Sequence, residues 1–581
     1  MNPTSLPAGQ SLRVASRLAF FSVVLALYAS ILPGQTTVPQ SRRVAIFGSS
    51  VASGTGDDTG KEGYAGRLRE MLTPRGWAVL NQSRGGDNTL TAAPRFTPVG
   101  EPQPNTKYLL PVNPAYVVIG LSLGNEGIKA ETTTEGRDKI YEQFQAGVCG
   151  FIDRSRENKI VPVVANCYAR ADFTDVEYAY TRRMNLLINS WDVPSINFLG
   201  AVDDGTGRWV KGFIHDSLHP NSAGHAEMAM TIVPSLFEAL EKGKPRPAKT
   251  PTTAFARATG GAAPLSFTPA ETMHPFAVAI SVRTQVDGPV LSVTGSTLNA
   301  TNYVLMASGQ TGVPSVAISS AQLAAINSLD SRLPTGLQRV TDARAALLRA
   351  SLNLPPNAAA IANAGQALAT AEQALAIARA ESFAILQTNA ETLSPAQTRL
   401  VTASAGRGAS LQTFGQGGGA IVETELNPGA TFTSAVGVHN GVWTYTAANG
   451  SLVPSTVKAD ADWHQVIVSH YTARGETLFF VDGKLAGRIT ERLQPKTFLA
   501  GGSATASTAA HPIDLRDLMI YRSALNEDEA AAIQSGTLFQ SSLEIYAPLA
   551  DARFAPGSPV ENRAQSLTFV TAGPTITHLD R

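Results

Sequence analysis

Between about Arg42 and Gly243, short β-branched runs alternate with longer amphipathic stretches, a rhythm that restricts this part of the chain to a parallel sheet flanked by helices. Strands are expected at Val44 to Phe47, Ala78 to Asn81, Tyr116 to Leu121, Ile160 to Ala165 and Ser195 to Leu199. Helices are expected at Tyr64 to Leu72, Lys139 to Arg156, Asp175 to Ser190 and Ser222 to Lys242. Such sheets present ligands at the carboxyl ends of their strands. Ser50 and Asn125 both fall just beyond such ends.

At 581 residues the chain is too long for one core. Arg13 and Arg17 precede the apolar run Leu18 to Leu32, the layout of a secretory signal, so residues 1–33 read as a signal peptide and the protein as secreted or periplasmic. The run is shorter than the roughly 20 residues a spanning helix prefers, which disfavours an uncleaved anchor. A first folded body spans 40–243, followed by a Pro-, Thr-, Ala- and Gly-rich linker at 244–264. Alternation at Phe276, Val278, Ile280 and Val282, and the hairpin signal Val481-Asp482-Gly483-Lys484, mark a β domain over 265–316 and 405–581. Between 317 and 404, Ile361, Leu368 and Leu375 recur at sevens with alanines between them, which reads as a coiled-coil-like helical hairpin inserted into that domain. Basic and acidic residues balance at 46 each, so no global field draws the chain to nucleic acid. Cys149 and Cys167 lie in no metal-ligand pattern, and whether they pair is left open.

Chemistry concentrates in two segments. Ser50 ends the run Arg43-Val44-Ala45-Ile46-Phe47-Gly48-Ser49-Ser50, where a hydroxyl stands at a strand-to-loop turn. It is not the G-x-S-x-G elbow, because Ala52 occupies the later glycine position. The second segment is Asp216-Ser217-Leu218-His219-Pro220-Asn221. Pro220 pushes His219 onto an extended segment, and Asp216 is near enough to turn back to the imidazole Nδ1, leaving Nε2 for a serine hydroxyl. Asp203 or Asp204 is the alternative partner. A metal site built from His215, His219 and His225 is not expected, because Pro220 prevents the helical pairing of a metalloprotease motif. Asn125, after the third strand, and Gly86, after the second, are candidate donors to an oxyanion.

Ser, Gly, Asn and His in this order resemble the four blocks of the SGNH hydrolases, also called GDSL esterases. The resemblance covers about Arg42 to Gly243 and implies a three-layer α/β/α, flavodoxin-like sandwich. It also implies Ser50, Asp216 and His219 as catalytic triad, and the Ser50 N–H, Gly86 and Asn125 as oxyanion hole, with no cofactor or metal. Two positions depart from the family pattern: Ser49 stands where the first block has Asp, and Gly124-Asn125-Glu126 replaces Gly-x-Asn-Asp.

Ala461-Asp462-Trp463-His464, Leu478 to Gly487 and Leu515 to Leu525 resemble laminin G-like domains of the concanavalin A-like class, which implies an all-β jelly-roll sandwich. Trp463 is read as a core residue. Export, an esterase-like site and a lectin-like partner together point to an esterase removing small acyl groups, acetyl foremost, from glycans, with a carbohydrate contact through the β domain. The rivals are a lipase or lysophospholipase on the same scaffold, and a noncatalytic glycan-binding or adhesion protein.

Overall fold

In the computed structural model, alternate side chains of β1 (Arg43–Gly48) enter different cores. Val44 and Ile46 pack with Tyr64, Leu68, Trp77 and Phe237 on one face of the sheet. Ala45 and Phe47 pack with Phe96, Phe144 and Phe151 on the other. Burial on both faces is what a strand of near-continuous apolar residues requires. The remaining parallel strands are β2 (Ala78–Asn81), β3 (Tyr116–Gly120), β4 (Val161–Ala165) and β5 (Ser195–Ile196), in the order β2-β1-β3-β4-β5. That order reverses between β1 and β3, the crevice where sheets of this topology bind ligands. The structure describes residues 38–298 except 102, 104, 250–252 and 260–264, residues 428–579 except 503–511, 551–554, 556 and 574–575, and scattered positions between 304 and 421.

The helices around this sheet are α1 (Ser50–Ser53), α2 (Gly63–Leu72), α3 (Thr89–Phe96), α4 (Thr134–Glu157), α5 (Asp175–Ser190), α6 (Leu199–Val202), α7 (Ser222–Met230) and α8 (Leu236–Glu241). Four expectations need correction. The long helix begins at Thr134 rather than Lys139, because the Thr133 side chain caps it by accepting from Gly136 N–H. Helix α3 carries Pro94 inside it and escaped a pattern reading, yet a capping box between Asn88 and Thr91 starts it. The single helix expected over 222–242 is two, since Pro234 supplies no N–H to continue it. Strand β5 stops at Ile196, and Leu199 belongs to a helical turn.

The C-terminal part is antiparallel β, in two sheets of eight-strand order. Val278, Ile280 and Val282 of one sheet and Leu291, Val293, Phe432 and Trp443 of the other share one core. Four strands matter below: β6 (Phe255–Ala258), β7 (Phe276–Arg283), β8 (His464–Tyr471) and β9 (Ile513–Tyr521), adjacent in the order β8-β7-β9-β6. The expected hairpin is present: Asp482 and Gly483 both have positive φ between paired Val481 and Lys484, a type I′ turn. Strand β6 falls inside the expected linker 244–264, with Ala256, Arg257 and Ala258 paired with β9 in a ladder that composition does not reveal. Trp463 is half-buried on the outer face of its sheet rather than in the core. The described positions between Arg339 and Ala371 are helical; the rest of the expected insert and the expected signal peptide lie outside the described residues. Cys149 and Cys167 are free thiols. Among the described residues no helix is long and apolar enough to cross a membrane.

Sheet edge and β domain meet through buried polar groups. Asn197 Nδ2 donates to Glu529 Oε1 at 3.0 Å, and its backbone N–H donates to Ser542 Oγ at 2.8 Å. Ser195 and Ser541 hydroxyls lie 2.6 Å apart. Glu529 is in α9 (Glu527–Gln534), and burial pushes its carboxyl up to about 8 despite hydrogen bonds from Asn526 and Asn197 that favour the charge. Between its ordinary 4.5 and about 8, the folded protein keeps a proton that the unfolded chain has released. This contribution is therefore fully present at low pH and is lost as pH rises through that window. Buried His225 and His470, pushed down to about 4 and about 3 by desolvation, act oppositely, lowering stability as pH falls below 6.5. The expected result is that Glu529→Gln, which keeps the acceptor oxygen for Asn197, raises the thermal midpoint relative to wild type at pH 8 more than at pH 5. A difference between the two proteins that is independent of pH would reject the neutral carboxyl.

Candidate active site

Ser50 sits at the start of α1, immediately beyond the carboxyl end of β1. The turn is tight because Gly48 lies against Gly120 of β3: a Cβ on Gly48 would fall 2.3 Å from the Gly120 carbonyl oxygen and 2.7 Å from the Ala52 Cβ. Two glycines at paired positions let α1 descend onto the sheet at that point and lift Ser50 above it.

His219 reaches Ser50 from the other end of the domain. Its Nε2 is 2.9 Å from Ser50 Oγ, and its Nδ1 is 2.8 and 2.9 Å from the two Asp216 carboxylate oxygens. A carboxylate only accepts, so Nδ1 carries the proton and Nε2 is the acceptor for the Ser50 hydroxyl. Asp216 Oδ1 also accepts from the backbone N–H of Leu218 and of His219, at 2.8 and 2.9 Å, which folds the four-residue loop on itself. Burial raises the Asp216 carboxyl, but hydrogen bonds from His219 and Leu218 outweigh it and hold the group below its ordinary value. Asn221 braces the loop: its Nδ2 donates to the Gly212 and Ile214 carbonyls while its Oδ1 caps α7. Val210, Phe213 and Ala223 beneath the same loop pack with Leu298 and Ala473 of the β domain.

The segment after β2 supplies the next group. Asp87 N–H bonds to the Arg84 carbonyl across Gly85 and Gly86, and Gly86 at φ +81° takes the third position of that turn, where a side chain would be strained. A Cβ on Gly85 would be 3.8 Å from the Ser50 Cβ, so this turn borders the serine. Asn125, in the helical turn Leu123–Glu126 after β3, donates through Nδ2 to the Asp87 carbonyl at 3.1 Å, leaving its second amide hydrogen unused by that bond. Asp87 was not legible as a site residue. Its buried carboxylate takes Arg95 Nε at 2.7 Å, Arg95 Nη2, and Arg84 Nε at 2.9 Å, fixing the backbone that orients Asn125. Arg170, also missed, donates to the Gly124 carbonyl at 2.8 Å and pairs with Asp172, while neighbouring Ala171 N–H bonds the Ser217 carbonyl. One loop thus ties the Asn125 turn to the histidine loop.

The alternatives separate cleanly. Asp203 accepts from the Tyr178 hydroxyl at 2.5 Å and from the Gly205 and Gly207 amides, and Asp204 bonds Thr206, so neither holds the imidazole. His225 is buried and donates to the Thr55 carbonyl at 2.9 Å. His215 is half-buried, and desolvation lowers its pKa. Among the described residues no cluster of His, Cys, Asp and Glu is arranged to hold a metal ion. Cys167 is buried, and desolvation pushes its thiol up to about 12, which removes it as a nucleophile.

Residues 46–227 match the GDSL-like Lipase/Acylhydrolase family. This segment is a GDSL-like acylhydrolase domain. The protein is accordingly a hydrolase of ester bonds. Among solved structures, a GDSL-like lipase from Bacteroides thetaiotaomicron is 16% identical, with 38% of this chain and 97% of that one covered and a TM-score of 0.27. A mutant of an acetyl-xylooligosaccharide esterase from Geobacillus is 12% identical, covering 33% and 93%, with a TM-score of 0.26. A putative carbohydrate binding protein from Bacteroides ovatus is 8% identical, covering 57% and 61%, with a TM-score of 0.27. No curated protein sequence matches the chain. Within the GDSL-like domain the two departures have local partners. Ser49 is buried and lies 3.4 Å from the Tyr168 hydroxyl, and Glu126 accepts from Thr89 N–H at the start of α3.

Proposed function

We propose that the GDSL-like domain is a secreted carbohydrate esterase that removes small acyl groups, acetyl foremost, through Ser50, His219 and Asp216. The observation that carries this reading is the 2.9 Å contact between Ser50 Oγ and His219 Nε2, backed by Asp216 on Nδ1. Ser50 Oγ attacks the ester carbonyl carbon as His219 takes its proton. The carbonyl oxygen becomes an anion and is met by the Ser50 and Gly86 N–H groups and the free hydrogen of the Asn125 amide. Collapse breaks the bond to the alcohol oxygen, which leaves with the proton from His219, and the acyl group stays on Ser50. Water, deprotonated by His219, then attacks the acyl-serine, and the carboxylic acid departs as Ser50 regains its hydrogen. No metal or cofactor takes part in this scheme.

The sugar assignment draws on the β domain, which we read as a concanavalin A-like, laminin G-like jelly-roll sandwich with a helical insert and a carbohydrate contact, and on the apolar N-terminal run read as a signal for export. The polar turn Arg84 to Asn88 beside Ser50 favours a small acyl group over a long chain. The test is hydrolysis of p-nitrophenyl acetate and of acetylated xylan against p-nitrophenyl palmitate. Faster turnover of the palmitate would replace this reading with a lipase. Asn125→Ala is expected to lower kcat by about 100- to 1000-fold with little change in KM, because its amide meets charge that exists only in the transition state. A rise in KM at constant kcat would remove Asn125 from the oxyanion hole.

A further inference from the structure

Ser50 and His219 come from opposite ends of the GDSL-like domain, and one loop joins them. Ser50 opens α1, and Thr55 N–H, just past that helix, donates to the Ser50 carbonyl at 3.0 Å. The loop 54–62 then leads to α2 and lies against the chain that follows His219. Its approach is closest at Gly56, where φ is +94° and a Cβ would fall 2.1 Å from the Pro220 carbonyl oxygen. On one side of this contact His225 Nε2 donates to the Thr55 carbonyl at 2.9 Å. On the other, Asp58 N–H donates to Ser222 Oγ at 3.0 Å, and that hydroxyl donates to Asp58 Oδ1. The loop thus bonds the helix of the nucleophile at one end and α7, behind the base, along its length.

Asp57 holds that loop in shape. Its buried carboxylate accepts through Oδ1 from Thr59 N–H and Oγ1 at 3.0 and 2.6 Å, and through Oδ2 from Gly63 N–H and Arg67 Nη1, both at 2.7 Å. Arg67, also buried, donates in addition to the Gly63 and Ser222 carbonyls at 2.9 and 3.1 Å, which carries the connection into α7. Burial works to raise the Asp57 carboxyl, but Arg67 and the hydrogen bonds outweigh it and keep the group charged. A buried ion pair adds little net stability over apolar side chains of the same volume, because desolvation of both charges offsets their attraction. What it fixes is direction, since a guanidinium and a carboxylate admit few arrangements.

We propose that Asp57 is a positioning residue of the esterase centre: with Arg67 it locks the loop after α1 onto the segment after His219, and so sets the 2.9 Å separation between Ser50 Oγ and His219 Nε2. It touches no reacting atom. A displacement of about 1 Å between reacting groups costs on the order of 100-fold in rate. The inference rests on the reading of Ser50 and His219 as nucleophile and base.

The test follows the rate constant and the endpoint of Ser50 labelling by a fluorophosphonate, beside kcat and KM for p-nitrophenyl acetate. The endpoint counts folded sites, and the rate constant reports how well each serine is activated. Asp57→Asn keeps the shape of the side chain and removes its charge. It is expected to lower kcat and the labelling rate constant per titrated site by about 10- to 100-fold, with KM nearly unchanged. Ser222→Ala removes only the hydroxyl bridge to Asp58 and is expected to lower both by about 3- to 10-fold, the scale of one hydrogen bond, so it decides the matter where Asp57→Asn does not fold. In a His219→Ala background neither change should slow the residual turnover further, because no base is left to place. The inference is overturned by unchanged kcat per titrated site in Asp57→Asn or, where that variant does not fold, in Ser222→Ala. A rise in KM at constant kcat, or a full effect in the His219→Ala background, overturns it as well. Wild type that neither labels nor turns over the ester overturns the Ser50 reading and this inference with it, whereas an active wild type with kinetically normal variants overturns this inference alone.

Discussion

Ser50→Ala is expected to lower p-nitrophenyl acetate hydrolysis by at least about 10⁴-fold while leaving the thermal midpoint nearly unchanged, since a triad serine carries the bond-forming step. The hydroxyl is partly exposed and its bond is to His219, so its removal leaves no buried group unpaired. His219→Ala should fall to a similar residual rate, and the double variant should be no slower than either alone, because the two groups act as one unit. A fluorophosphonate probe should label wild type at Ser50 and leave Ser50→Ala unlabelled. Retained turnover in Ser50→Ala would transfer the chemistry to another residue, and labelling elsewhere would say where to look.

Asn197→Ala is expected to be strongly destabilising. Asn197 Oδ1 accepts from Asn166 Nδ2 at 3.0 Å and from Gly200 N–H at 3.1 Å, and its Nδ2 serves Glu529. All of these lie in the buried junction between the sheet and α9. Each polar group left unsatisfied costs about 1–3 kcal/mol, so the sum approaches about 3–6 kcal/mol, a large part of a typical domain's stability. Urea unfolding should show the midpoint falling steeply, with loss of the GDSL-like domain and the β domain in one transition. Two separate transitions in wild type, or a change below about 1 kcal/mol, would show that water replaces the asparagine and that the junction is loose.

The candidate site was largely legible because its decisive contacts are local or lie at strand ends. Asp216 and His219 are three residues apart, and Pro220 restricts the backbone between them and α7, so the imidazole–carboxylate pair needs no distant element. Ser50 follows a strand whose apolar run marks its end. The hairpin at Asp482-Gly483 was equally local. Trp463 was read into the core because its neighbours are strand-like; facing is a parity that only the pairing of β8 with β7 establishes. Helix α3 was missed because Pro94 outweighed a capping box that lies in plain view at Asn88 and Thr91.

What the sequence by itself determined is the parallel sheet of the GDSL-like domain, the order of its blocks and the local loop that presents His219, since periodicity, glycine placement and proline geometry act over a few residues. Only the tertiary structure decided that Asp87 and Arg170 brace the Asn125 turn and that Asn197 meets Glu529 across 332 residues. Those relations join segments far apart in the chain, where the energy of a contact depends on which strands neighbour each other and on how much water the packing leaves between them.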